Sequence, residues 1–204
     1  MARILYAGTR KLYFKLVNEQ NTREKLSNLE VHHSETYAHS LRVGLLSIDL
    51  GYENFEWEDD LKNLGRAGLL HDIGKLKVPI NILSKEGELT EEEVGILSNH
   101  PSLGFLELNE IDYSLVRKIV VAHHEYKPNP YPRKNDENNK EVDRRGNDPF
   151  VSACSQIVAV SDMFDALVSR RVYKPEFELP KIEEILKEQF KGNKKYVKQI
   201  LKRY

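Results

Sequence analysis

The sequence predicts a single all-α domain, and three observations predict it. Apolar residues recur at helical spacing in nearly every segment, no stretch alternates apolar and polar in the manner of a half-buried strand, and helix-start signals recur along the chain. With 204 residues, 40% hydrophobic and 31% charged, the chain can bury a sizeable core.

The elements follow in order. A first helix is expected over 3–17, where Leu5, Leu12, Leu16 and Val17 offer an apolar stripe to the core, with a dimer face as the other use. Helices over 34–51 and 58–73 come next, the second closing on the apolar run AGLL. Thr90 followed by Glu93 forms a capping box that opens a helix over 90–98, and another is expected over 101–107. Asp112 is placed to cap a helix over 112–125. The apolar run around IVAVSDMFDAL lies in a helix over 150–168, and Pro180 suits the first turn of a helix over 179–190, followed by 193–202. Residues 133–148 carry ten charged residues among sixteen, without period and after PNPYP, which reads as an exposed loop. No repeat, low-complexity tract or linker divides the chain.

A formal net charge of −1 gives no global pull toward DNA or an anionic membrane, so neither partner is expected and any anionic substrate must be met by local cations. The single cysteine, Cys154, allows no internal disulfide and no thiolate metal site, and suits a reducing cytoplasm. The N-terminal stretch MARILYAGTRKLYFKLV is interrupted by Arg3, Arg10, Lys11 and Lys15, which leaves no signal-peptide core, and no segment is expected to cross a bilayer. A cytoplasmic protein follows as the expectation.

Residues 71–75 read HDIGK, where leucines would pack better. Burying a histidine, an aspartate and a lysine is costly unless each is paired or metal-bound. Seven histidines occur, none beyond His124. His32 and His33 read as solvated, whereas His39, His71, His100, His123 and His124 fall within or at the edge of helices. Any one alone is more often a satisfied core residue; together they ask for a common partner. Glu35 and His39, four apart, share a helix face. Neighbouring helical residues point roughly 100° apart, so His71 with Asp72, and His123 with His124, are expected to serve different ions of a cluster that a carboxylate such as Asp72 can bridge. Asp162 adds a carboxylate to an apolar helix, and for Asp165, three residues on, a cap and a salt bridge are both open.

In this order and at close to this spacing, HDIGK with PINIL, SKEGELTEEE, NHPSLGF, VVAHHE and AVSDMFDALVSRRVYK resemble the HD superfamily of metal-dependent phosphohydrolases, and within it the HD-GYP branch of cyclic dinucleotide phosphodiesterases. The resemblance covers roughly residues 31–200. It implies an HD-type helical domain over 31–204, with residues 1–30 as an accessory N-terminal helix. It implies metal ligands at Glu35, His39, His71, Asp72, His100, His123, His124 and Asp162, with Asp72 bridging two ions and Glu35 marking a third. Two or three divalent ions, iron or manganese, suit imidazole and carboxylate donors.

Asp72 and Lys75 are then the catalytic residues, with hydroxide held at the Asp72 end of the cluster attacking phosphorus, and Lys75, Arg171, Lys174 and Tyr131 contact the substrate. One departure stands out. Where the branch has a glycine before Tyr-Pro, HHEYKPNPYP is one residue shorter and carries Pro130, which fixes φ and removes an N–H. Tyr131 and Pro132 remain, and about ten extra residues follow in the charged loop. The expected substrate is a cyclic dinucleotide, cyclic di-GMP first, opened to the linear dinucleotide or GMP. Another nucleotide phosphoester is the alternative, and a non-catalytic nucleotide- or partner-binding module stands further off because all eight ligands are present. Control is expected from a regulatory protein partner or a homodimer.

Overall fold

A computed structural model describes residues 6–131, 148–169 and 177–203. Eleven α-helices and two 3-10 turns occur among them, and no strand. In chain order the helices are α1 (Ala7–Asn18), α2 (Gln20–His32), α3 (Ser34–Gly51), α4 (Glu58–Leu70), α5 (Ile80–Leu83), α6 (Glu91–Leu97), α7 (His100–Glu107), α8 (Ser114–Ala122), α9 (Pro149–Val168), α10 (Leu179–Gln189) and α11 (Lys194–Leu201). The 3-10 turns are Ile73–Lys77, after α4, and Ile111–Tyr113, before α8.

The capping box at Thr90 and Glu93 is present, and Pro180 sits in the first turn of α10. Three expectations need correction. The helix α2 was not foreseen, because its buried face is only Thr22, Leu26 and Leu29 in an otherwise polar segment. Thr22 completes that face through a buried hydroxyl contact to Tyr113, a partner invisible from local sequence. Asp112 caps nothing; it lies inside the 3-10 turn that leads into α8, while Asp148, at the end of the charged segment, caps α9. His32 and His33 are engaged rather than solvated: the His32 ring meets the Val78 carbonyl at 3.0 Å, and His33 Nδ1 accepts from the Thr36 backbone N–H as the N-cap of α3.

One core joins α1 to α11. Leu12 and Leu16 of α1 and Leu26 of α2 share it with Leu64 and Leu69 of α4, Ile157 and Phe164 of α9, and Ile200 of α11. The α9 helix is buried without interruption from Ile157 to Asp165. It is also long and apolar enough to cross a membrane by length and composition, contrary to the sequence expectation, but two-thirds of its apolar window is packed inside the protein. Its apolarity is accounted for by the core.

Glycines set two approaches that the site depends on. A Cβ at Gly68 would press on Ser47 of α3, so α4 lies close against α3. A Cβ at Gly74 would overlap the His100 carbonyl oxygen and the Gly104 amide nitrogen. Only a glycine lets the turn after α4 lie backbone to backbone on α7.

Candidate metal centre

Five elements deliver the polar cluster. His39 comes from the middle of α3, His71 and Asp72 from the end of α4, His100 from the first residue of α7, His123 and His124 from the chain just past α8, and Asp162 from α9. The predicted helix over 58–73 stops at Leu70. His71 ends it as C-cap, and Asp72, with φ −99° and ψ 8°, has already turned out of it. The same holds after Ala122, where His123 is the C-cap of α8.

These helix ends bring adjacent residues within reach of one ion, an arrangement that the sequence expectation of different ions had set aside. His100, His123 and His124 bring ligand atoms within 4.8 Å of one another, as do His71, Asp72 and His123, and His39, His71 and Asp162. The rings of His123 and His124 lie 4.0 Å apart.

The ring nitrogens divide into two sets. His71 Nδ1 meets the Gly68 carbonyl at 2.9 Å, His100 Nδ1 the Leu97 carbonyl at 2.8 Å, and His123 Nδ1 the Val120 carbonyl at 2.5 Å. A carbonyl only accepts, so each Nδ1 carries the proton and each Nε2 of the neutral ring is a bare lone pair. Each of these carbonyls lies in the last turn of a helix, three residues before its histidine, where acceptor capacity is left over. The bare atoms then converge: His100 Nε2 is 3.4 Å from His123 Nε2, and His71 Nε2 lies 3.3 Å from Nε2 of His39, which also faces Asp162. His124 Nδ1 is buried with no hydrogen-bond partner. Each buried, unsatisfied polar atom costs roughly 1–3 kcal/mol, and a leucine in its place would gain a similar amount. A bound cation, taking every one of these lone pairs, offsets that cost.

The carboxylates complete the set. Asp72 Oδ1 faces His100 Nε2 at 3.2 Å, while Oδ2 faces His71 Nε2 at 3.4 Å, His39 Nε2 at 3.9 Å and Lys75 Nζ at 2.7 Å. Its two oxygens thus look toward different histidines. Asp162 Oδ1 is 3.1 Å from His39 Nε2, and Oδ2 is 3.3 Å from Lys127 Nζ. The histidines and carboxylates are all buried save His39, whose side chain is 13% exposed.

Protonation follows burial and charge. Burial pushes His100 down to about 4 and holds His123 and His124 well below the usual imidazole range, so these rings stay neutral ligands. For Asp72, burial favours the acid, but Lys75 and His71 outweigh it and keep the carboxyl well below its ordinary value. Lys127 and His39 do the same for Asp162. His39 is the exception: despite burial, its bonds to Asp162 and Asp165 raise it to about 9.

Asp165 resolves to a salt bridge with a further task. Its Oδ1 accepts from Arg42 Nε at 2.8 Å, its Oδ2 from Arg42 Nη2 at 3.0 Å, and Oδ2 also takes His39 Nδ1–H at 2.7 Å, which aims His39 Nε2 at the centre. Asp165, Arg42 and Lys127 are the site residues that sequence reasoning left without a role. The DxxD spacing on α9 was the available signal for Asp165; Lys127, two residues past HHE, carried none.

A cavity of about 380 Å³ opens over the cluster, lined by Asp72, Lys75, His100, Lys127, Tyr131 and Asp162 among others. The Tyr131 ring packs 4.2 Å from that of His124. Glu35 stands apart: it is exposed, belongs to none of the close ligand groups, and lines a neighbouring cavity with His39 and Lys75. Arg171, Lys174, Pro132 and the 133–147 part of the charged loop lie outside the described residues.

Comparison with known proteins agrees with this geometry. Residues 36–167, which contain all seven clustered donors, match the HD domain family. A cyclic di-GMP phosphodiesterase of Thermotoga maritima is 38% identical over 144 residues, covering 69% of this chain and 36% of the relative. A cyclic di-GMP phosphodiesterase of Pseudomonas aeruginosa is 34% identical over 169 residues, covering 78% and 36%. The 3'3'-cGAMP-specific phosphodiesterase 2 of Vibrio cholerae is 31% identical over 170 residues, covering 81% and 29%. The match therefore spans only 29–36% of the length of these relatives. On the match over 36–167 and the ordered motifs that carry the seven donors, the chain belongs to the HD domain family, in its HD-GYP branch.

Proposed function

We propose that this protein is a metal-dependent phosphodiesterase that hydrolyses a cyclic dinucleotide, cyclic di-GMP first, to the linear dinucleotide or GMP. The observation that carries the reading is the convergence of bare histidine lone pairs and two ionised carboxylates beneath an open cavity. Relatives named for cyclic di-GMP and cGAMP hydrolysis support the substrate class.

His39, His71, Asp72, His100, His123, His124 and Asp162 would hold at least two divalent ions, iron or manganese by the softness of the donors. Bound there, the ions would supply an activated water at neutral pH and charge to neutralise the phosphoryl oxygens. The chain's own residues do the rest. Asp72, whose two oxygens face separate histidines, would be shared between ions. Lys75 and Lys127 approach the cavity beside Asp72 and Asp162, and each would bind a non-bridging phosphate oxygen. Tyr131, held against His124, would offer its ring face to a base. Arg171 and Lys174 are further phosphate contacts on the resemblance alone, as is Glu35 for a third ion. A cytoplasmic location suits the single buried Cys154.

The test is purification without chelator, metal analysis, and hydrolysis of a panel of cyclic dinucleotides with product identification. Bound iron or manganese with cyclic di-GMP turnover is expected. Turnover of 3'3'-cGAMP alone would move the substrate within the class, and no phosphodiester hydrolysis by metal-loaded protein would overturn the reading.

A further inference from the structure

A second cavity, of about 450 Å³, adjoins the metal centre between the start of α3 and the segment that carries α5 and α6. It shares His39, Lys75 and Leu97 with the first, so Lys75 stands where the two meet. Each volume lies in the lower half of the range typical of small-molecule sites. Neither alone is roomy for two nucleotides; the pair is.

The walls of the second cavity differ in kind. Ile82, Leu83 and Leu89 give an apolar side. His33, Lys85, Thr36 and the carboxylate of Glu35, an acceptor for base N–H groups, give a polar one, which the paired Arg42 and Asp165 also line. Because His33 Nδ1 accepts from the Thr36 N–H, the proton of its neutral ring is on Nε2, a donor not used by the cap. Lys85 pairs with Glu93 yet keeps a third of its side chain exposed. An apolar wall beside an N–H donor and a cation fits a nucleobase attached to a phosphate.

We propose that this second cavity is the subsite for the second nucleotide of a two-nucleotide substrate, whose scissile phosphodiester lies at the metal centre. This rests on the phosphodiesterase reading above and adds to it the reason for preferring dinucleotides to smaller esters. Lys75 touches both halves of the substrate, which links occupancy of the second cavity to alignment at the first.

The test compares kcat/KM for cyclic di-GMP with that for bis-p-nitrophenyl phosphate, a diester with no second nucleotide, on the full chain loaded with manganese. Leu83→Trp fills the cavity, and Lys85→Glu reverses a charge at an exposed position. The ratio of the two specificity constants falls on the order of tenfold in each variant, through KM for the dinucleotide. A ratio unchanged from wild type in Lys85→Glu and in folded Leu83→Trp overturns the subsite. Failure of the parent reading looks different: wild-type protein then hydrolyses neither diester.

Discussion

Two buried polar clusters lie on the same helix, α3, and they are built on opposite plans. Ten residues beyond His39, Asp49 is fully buried, its Oδ1 accepting from the Tyr6 backbone N–H at 2.9 Å and the Thr9 hydroxyl at 3.0 Å. Its Oδ2 lies 2.5 Å from Arg203 Nε, and Arg203 reaches on to Glu53 and to the Gln199 carbonyl. Every charge there meets an opposite charge or a donor from the chain itself. At the metal centre, the outer nitrogens are satisfied by the chain and the inner ones point at each other. A closed polar cluster ties the two ends of the chain together; an open one reserves its lone pairs for something the chain does not supply.

The largest effect that would break this contrast is at Asp72. Asp72→Ala should cost on the order of a thousandfold in kcat and lower the bound metal, measured together by turnover and metal analysis. Full turnover in a variant of verified composition would remove the centre from the chemistry. In the closed cluster, Arg203→Ala leaves a buried carboxylate unpaired and should cost about 3–5 kcal/mol of stability by denaturant titration. Metal bound per folded molecule should stay at the wild-type level; a parallel loss of metal would show that the two clusters are one.

Acid sharpens the contrast next. In chelator-treated protein the folded pKa of His100, about 4, lies below its unfolded value, and His123 and His124 shift the same way. The unfolded chain then binds more protons, so this stability is present above about pH 6.5 and is lost as the pH falls toward 4, by about 1.4 kcal/mol per unit for each ring. His39 is raised to about 9, so its contribution has the opposite sign, present below 6.5 and fading as the pH rises through 9. Urea midpoints of the metal-free protein should therefore peak near neutrality, and bound metal should steepen the fall on the acid side, because ligands freed on unfolding take up protons. A midpoint that climbs steadily on acidification would contradict the neutral, buried ligands. The smallest effect is expected at Asp165, which aims a ligand without being one: Asp165→Asn should weaken metal binding about 10–100-fold while the ion still binds. Unchanged affinity by competition with a chelating dye would leave Asp165 a salt bridge only.

Sequence reasoning reached most helices because their buried stripes are apolar, and it missed α2 because one of its three buried positions is a threonine satisfied by Tyr113, ninety-one residues away. It found the histidines and carboxylates by type and spacing. It assigned the partners in the doublets His71–Asp72 and His123–His124 to different ions on helix geometry, and could not see that α4 and α8 end just before them. Lys127 and Arg42 were silent for the same reason: a cation gains a role only from the carboxylate placed opposite it.

What the sequence alone determined is the inventory: an all-α chain, the residues too costly to bury without a partner, and the motif order that marks the family. Periodicity and residue chemistry are local properties, and they are written in the order of the letters. What the tertiary structure decided is which nitrogen of each histidine is free, which carboxylate oxygen faces which ring, and which lysines stand by them. Those depend on where helices end and on how closely Gly68 and Gly74 let backbones approach, and contacts between residues far apart in the chain set them.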